Sequence, residues 1–210
     1  MTRLSIDPIV PARGAIEEAA RAIRAGGIVA LPTDTLYGLA VDPFNTGALA
    51  AIRRLKERPA DRGIPLVAAD VGQIAATLGV LPMLARLLAV RFWPGPLTML
   101  MQAPERLPVD VTGGTGRVGV RVPAHAVARA LCGACGTPLT ATSANKSGQP
   151  ATNDPESVAA SLGAGLDVLL DAGVTPGGPP STIIDVTDAT PRVIRQGAIP
   201  WESIQACLGL

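Results

Sequence analysis

The sequence predicts one α/β domain, a mixed sheet covered by helices. Helix-period and strand-like segments alternate from end to end, with no composition shift or long linker between them. The last strand-like segments are spaced for hairpins, which favours a mixed sheet over a purely parallel one. Hydrophobic residues make up 48% of 210, enough for a sizeable core in one large domain or two small ones.

Residues 13–25 read as an amphipathic helix. Ile16, Ala19, Ala20 and Ile23 recur at helical spacing, Glu17, Glu18, Arg21 and Arg24 cover the other face, and Gly26-Gly27 ends it. A strand follows at 28–31 and runs into Pro32-Thr33-Asp34-Thr35-Leu36-Tyr37-Gly38. Proline stiffens the entry to this stretch and glycine frees the exit. Two readings fit it: a ligand-contacting turn at the end of a buried strand, or a strand-to-helix connection whose Thr and Asp cap the next element.

Residues 46–56 read as a second helix with Thr46 as N-cap. Leu49, Ile52 and Leu55 point inward, and Arg53 and Arg54 lie on a solvated face. Pro59 and Gly63 stop any continuation. A strand is predicted at 65–69, a short helix capped by Asp70 through Leu78, and another helix over 82–91. Trp93-Pro94-Gly95-Pro96 is a rigid break before a strand at 97–102. After a glycine-rich loop at 112–117 come a strand at 118–122, a helix over 124–131 and a strand at 138–142. Asp154-Pro155 is a helix start, with Asp as N-cap and Pro at the first helical position. Strands at 167–170, 181–186 and 192–195 and a short helix from Trp201 complete the chain.

A net charge of +1 argues against a protein that coats nucleic acid by bulk charge. No apolar run reaches the roughly 18 to 20 residues of a membrane span. An acid and a proline stand where a signal peptide is apolar, so a cytoplasmic location is expected. Cys132 and Cys135 form a C-x-x-C pair, but three cysteines make no disulfide framework. With His125 the only histidine, no zinc site is expected. The cysteines read as small apolar residues at a helix end, and His125 as a capping or packing residue.

Basic residues are spread over several loops: Lys56, Arg58 and Arg62, then Arg117 and Arg121, then Arg195. With little net charge, this pattern suggests a focused anion pocket. Arg121 alternates with valines, so it either points to water or binds a carboxylate bidentately. No G-x-x-x-x-G-K-[ST], G-x-S-x-G or His/Cys/carboxylate cluster is present. An enzyme with this inventory works by positioning and charge stabilisation, as phosphoryl and nucleotidyl transfer do.

Four segments together resemble the YrdC-like family of threonylcarbamoyl-AMP synthases. They are Pro32-Thr33-Asp34-Thr35-Leu36-Tyr37-Gly38-Leu39, Lys56-Glu57-Arg58-Pro59, Trp93-Pro94-Gly95-Pro96-Leu97-Thr98 and Thr142-Ser143-Ala144-Asn145-Lys146-Ser147-Gly148. Val118 to Pro123 and Pro180 to Asp185 add to the set in the family's order. The resemblance implies a single YrdC-like α/β domain over 12–198, a twisted mixed sheet flanked by helices around a basic concave cavity. Residues 199–210 are expected as a tail with no second domain.

It further implies joining of L-threonine, bicarbonate and ATP into threonylcarbamoyl-adenylate, with Mg²⁺ arriving on the nucleotide. A downstream complex then modifies adenosine 37 of certain tRNAs. Thr35, Arg121 and Ser181 are expected to hold threonine, with backbone help near Val67 and Ala141. Lys56, Arg58, Arg62, Ser143, Asn145 and Arg195 are expected to hold ATP, with Arg117 and the backbone near Ala151 added. Lys56 and Arg58 are the expected catalytic pair.

The sequence departs from the family at Arg62, where many members carry Lys or Asn, and near Val67, where longer relatives have a histidine. Two alternatives stand beside this reading. One is an RNA-binding or ribosome-maturation factor using the same cavity, which five aromatics supply poorly with stacking platforms. The other is a carbamoyl-transferring relative that uses carbamoyl phosphate.

Overall fold

The structure is a computed structural model describing residues 1–210. Its elements in order are β1 (Thr2–Ser5), α1 (Arg13–Arg24), β2 (Val29–Leu31), β3 (Gly38–Ala40), α2 (Thr46–Lys56), β4 (Leu66–Val67), α3 (Val71–Leu78) and α4 (Met83–Phe92). Then follow β5 (Leu97–Gln102), α5 (Val109–Thr112), β6 (Arg117–Arg121), α6 (Ala126–Cys135), β7 (Leu139–Thr140) and β8 (Thr142–Ser143). The chain ends with α7 (Pro155–Leu162), β9 (Val168–Asp171), β10 (Thr182–Asp185), β11 (Arg192–Arg195) and α8 (Trp201–Leu208).

The strands form two mixed sheets, where one was expected. Their orders are β1-β9-β2-β3-β8 and β11-β10-β5-β6-β4-β7. The split occurs at Ala141. Leu139–Thr140 pairs with β4 in one sheet and Thr142–Ser143 with β3 in the other. At the joint, the Ala141 amide turns back to Pro65 O at 2.7 Å. The Thr140 hydroxyl also accepts from Val41 N at 2.9 Å, in place of a ladder carbonyl.

The stretch between β2 and β3 is neither a strand-to-helix connection nor a cap. It is the loop of an antiparallel pair closed by Leu31 opposite Gly38. β2 is buried on both faces. Ile28 and Ala30 enter a larger core of 34 residues, while Val29 and Leu31 enter a smaller one of 16 under α1 and α6. The period-2 alternation of a strand therefore feeds two cores at once.

Two local expectations are corrected. The N-cap of α2 is Asn45, whose side chain accepts from Ala48 N at 3.0 Å; Thr46 is the first helical residue. Arg53 is only 8% exposed. It donates to Pro59 O, Arg62 O and Asp110 O, pinning the loop after α2, because the carbonyls of that Pro/Gly-punctuated loop have no ladder to join. The folded unit also runs past 12–198 on both sides. β1 pairs in parallel with β9, and α8 buries Ile204 in the larger core. No helix is long and apolar enough to cross a membrane.

Candidate functional site

The 32–37 loop is the hub of the site, and it is held from inside and outside. Thr33 Oγ1 donates to Leu36 O at 2.7 Å and accepts from Thr35 N at 3.2 Å. The Tyr37 ring is fully buried; its hydroxyl donates to Gly173 O at 2.8 Å and accepts from Ala172 N at 3.1 Å. Burial pushes this phenol up to about 12. Thr35 O accepts from both Thr175 Oγ1 and Gly177 N at 2.9 Å. Tyr37, with no ligand role expected from sequence, thus does much of the work of fixing this loop.

On one side of the hub, the first predicted group gathers. Arg121 ends β6 with 7% of its surface exposed. Its Nε donates to Gly95 O at 2.9 Å, its Nη2 to Asp34 Oδ1 at 2.6 Å, and its Nη1 lies 3.5 Å from Thr35 Oγ1. Of the two readings of this arginine, the water-facing one is excluded. Ser181 precedes β10, its hydroxyl 2.9 Å from Thr98 Oγ1. Arg195 on β11 donates to Ser181 O at 2.7 Å and reaches Ser181 Oγ at 3.2 Å. Burial, and then the nearby Arg121 charge, lowers the pKa of Arg195. Arg195 therefore stands beside this group while meeting no carboxylate itself.

Val67 and Ala141 belong to the frame around that group. Val67 is the register partner of Arg121 in the β4–β6 pair. Its side chain lies in the smaller core and its carbonyl accepts the Cys132 thiol at 3.4 Å. Ala141 sits at the joint between the sheets. Thr98 was not singled out by sequence reading as a site residue, although it closes the Trp93-to-Thr98 motif.

On the other side of the hub, Lys56 ends α2 and is 2% exposed. Its ammonium donates to the carbonyls of Ser143 and Asn145, both just past the sheet joint. Burial, then the Arg58 charge, brings Lys56 down to about 8. Arg58 donates to Gly63 O at 2.5 Å and Arg62 O at 3.3 Å, and its pKa is lowered by burial, then by Arg53 and Arg62. Arg62 is exposed. Asn145 and Ala151 line an open cleft of about 590 Å³ together with Gln149, Ser157 and Ser161. The hub ties this side down through two backbone bonds, Ala144 N to Tyr37 O at 2.9 Å and Tyr37 N to Thr152 O at 3.0 Å.

Arg117 is not brought into either group. It begins β6, about 13 Å of strand from Arg121, and donates to the buried Asp185 at 2.7 Å. His125 is the N-cap of α6, accepting from Val127 N at 3.3 Å. Burial pushes the Cys132 thiol far up and the Cys135 thiol up to about 11, so both behave as small apolar groups.

Comparison with known proteins places this geometry. The family model for Sua5, YciO and YrdC proteins, described as "Telomere recombination", matches residues 21–197. The threonylcarbamoyl-AMP synthase of Pyrococcus abyssi is 38% identical over 206 residues, 96% of this chain and 61% of that protein. The protein of the same name from Vibrio vulnificus is 38% identical over 184 residues, 87% of this chain and 98% of its own length. The structure of P. abyssi Sua5 complexed with L-threonine superposes with a TM-score of 0.94 at 35% identity, covering 100% of this chain and 61% of that one. The chain thus spans about three fifths of its Pyrococcus relative and nearly all of the Vibrio one. Its ordered motifs and its two-sheet fold both place it in the Sua5/YciO/YrdC family.

Proposed function

We propose that this chain joins L-threonine, bicarbonate and ATP into threonylcarbamoyl-adenylate and pyrophosphate. The product feeds a cytoplasmic complex that modifies adenosine 37 of certain tRNAs. One observation carries the reading. Lys56 is buried and Arg58 half-buried on one side of the hub, Arg195 stands beside Arg121 on the other, and none of these, nor the exposed Arg62, is within ion-pair distance of a carboxylate. Cations drawn together with only carbonyl and hydroxyl partners are a site short of an anion. A triphosphate supplies it. The shared name of the Pyrococcus and Vibrio relatives, and the threonine bound in the Pyrococcus structure, support the same reading.

In this reading the threonine amine and bicarbonate give a carbamate with loss of water. A carbamate oxygen attacks the α-phosphorus, the bond from that phosphorus to the bridging oxygen breaks, and pyrophosphate leaves. Arg121 takes the threonine carboxylate. Thr35 and Ser181 serve the remaining polar atoms, and the backbone near Val67 and Ala141 frames them. Arg58, Arg62 and Arg195 offset repulsion between the two anionic reactants and stabilise charge growing toward pyrophosphate. Lys56 fixes the carbonyls of Ser143 and Asn145 and adds its charge from behind. The nucleoside lies along Asn145 and Ala151. No group of three or more His, Cys, Asp or Glu side chains is arranged to hold an ion. In this reading Mg²⁺ enters as part of the ATP substrate.

The test is a pyrophosphate-release assay. Release is expected only with threonine, bicarbonate and ATP together. Release unaffected by threonine, or release on replacing threonine and bicarbonate with carbamoyl phosphate, overturns the reading.

A further inference from the structure

We propose that Asp34 is a positioning residue: it sets the Arg121 guanidinium for the carboxylate of the amino-acid substrate. The proposal rests on the function stated above and adds a role for a residue to which that function assigns none.

The stereochemistry of the guanidinium carries it. Arginine has five N–H donors, four of which form two edges, each able to bind a carboxylate with two parallel bonds. The side edge is made by Nε–H and the Nη2–H nearest to it. In Arg121 both nitrogens of this edge are engaged, Nε with Gly95 O at 2.9 Å and Nη2 with Asp34 Oδ1 at 2.6 Å. The end edge, made by Nη1 and the second Nη2–H, has only the long 3.5 Å approach of Thr35 Oγ1. Asp34 therefore occupies the edge that an incoming carboxylate does not need. It turns the open edge toward Thr35, the hydroxyl expected to meet the same ligand.

Charge points the same way. Arg195 is close enough to Arg121 for the two charges to oppose each other. Two guanidiniums and one carboxylate leave one positive charge for a ligand. Asp34 is itself well held for this task. It lies in the loop clamped by Thr33, Thr175 and Gly177, and its outer face lines a cavity of about 540 Å³ between the N-terminal turn of α6 and residues 172–176.

A carboxylate that merely stood in for substrate would sit on the end edge and would have to leave on binding. The two ideas predict opposite changes. If Asp34 positions Arg121, Asp34→Ala raises KM for threonine about tenfold, as expected for loss of one charge-assisted contact. KM for ATP stays within about twofold. Asp34→Asn keeps an oxygen acceptor and recovers most of the loss. In an Arg121→Ala background, Asp34→Ala adds nothing further. Should Asp34→Ala fail to fold, Asp34→Glu gives the same readout: it keeps the charge, moves the acceptor by one methylene and raises the threonine KM alone. A threonine KM that is unchanged or lowered in these variants overturns the proposal. So does an ATP KM that rises in parallel. Threonine-independent release by the wild-type protein instead overturns the underlying function, so the two failures are distinguishable.

Discussion

The two sides of the 32–37 hub balance charge in opposite ways. On the Arg121 side, a buried guanidinium has a carboxylate at 2.6 Å, and the hydroxyls of Thr33, Thr35, Thr98 and Ser181 are paired with one another. On the Lys56 side, a buried lysine and the half-buried Arg58 meet carbonyl dipoles and other cations, and burial and those neighbouring charges lower the pKa values of both. The first side pairs its buried guanidinium before a ligand arrives and leaves only the more exposed Arg195 without a carboxylate. The second is electrically incomplete, because a carbonyl dipole offsets a full charge less well than a carboxylate does. A pre-paired end suits selection of a small zwitterion by shape and hydrogen bonding. An unpaired end suits a polyphosphate, whose binding relieves the stored repulsion.

The largest expected effect comes from removing an unpaired cation. Arg58→Ala and Arg195→Ala should each lower kcat/KM for ATP by about 10- to 100-fold, since a charge-assisted contact is worth about 1.5–3 kcal/mol. Steady-state pyrophosphate release measures it. Wild-type rates in the Arg58 variant would break the contrast between the two sides, and wild-type rates in the Arg195 variant would mean that its charge serves no anion.

Much of this architecture is legible in the residues. The helix over 13–24, the strand at 97–102, the Asp154-Pro155 start and the terminal strands follow from periodicity and capping chemistry. What was not legible depends on partners distant in sequence. β3 is three residues long, and β1 has one half-buried position among exposed ones, so neither carries a periodic signal of its own. The sheet split depends on a tertiary contact, Ala141 N to Pro65 O. Arg53 looks like any solvated helix arginine until the carbonyls of 59, 62 and 110 fold over it. The site shows the same division. Residue types and motif order name Thr35, Arg121, Ser181 and the Lys56/Arg58 pair, whereas Thr98 and the Asp34 contact exist only once β5, β6 and β10 lie side by side.

The lysine offers a sharper, intermediate test. Its folded pKa of about 8 lies below the unfolded value of about 10.4. Between those values the unfolded chain holds more protons, so this group makes stability rise with pH across that window. Activity should move the other way. The Lys56 charge is present below pH 8 and lost above it, so kcat/KM for ATP should fall by up to about tenfold from pH 7 to 9. Lys56→Arg stays charged throughout, and its profile should lack that fall. Parallel profiles for the two proteins would show that the lysine acts only by holding the Ser143 and Asn145 carbonyls.

The smallest effect belongs to Arg117, an arginine that resembles the site cations in sequence and differs from them in place. Its partner Asp185 is 2% exposed. Burial works against the Asp185 carboxylate, but Thr187, Arg117 and Arg192 together hold its pKa below the usual range. A lowered carboxylate pKa contributes stability above its unfolded value, and that contribution is lost as pH falls through the folded one. With Arg117 itself partly exposed, Arg117→Gln should cost only about 1 kcal/mol at neutral pH, shrinking in acid, as denaturant titration at two pH values would show. KM for ATP and for threonine should both stay within about twofold. If the ATP KM rises tenfold instead, the charge at the start of β6 reaches the nucleotide after all. The division into a paired and an unpaired side would then have to include Arg117 on the unpaired one.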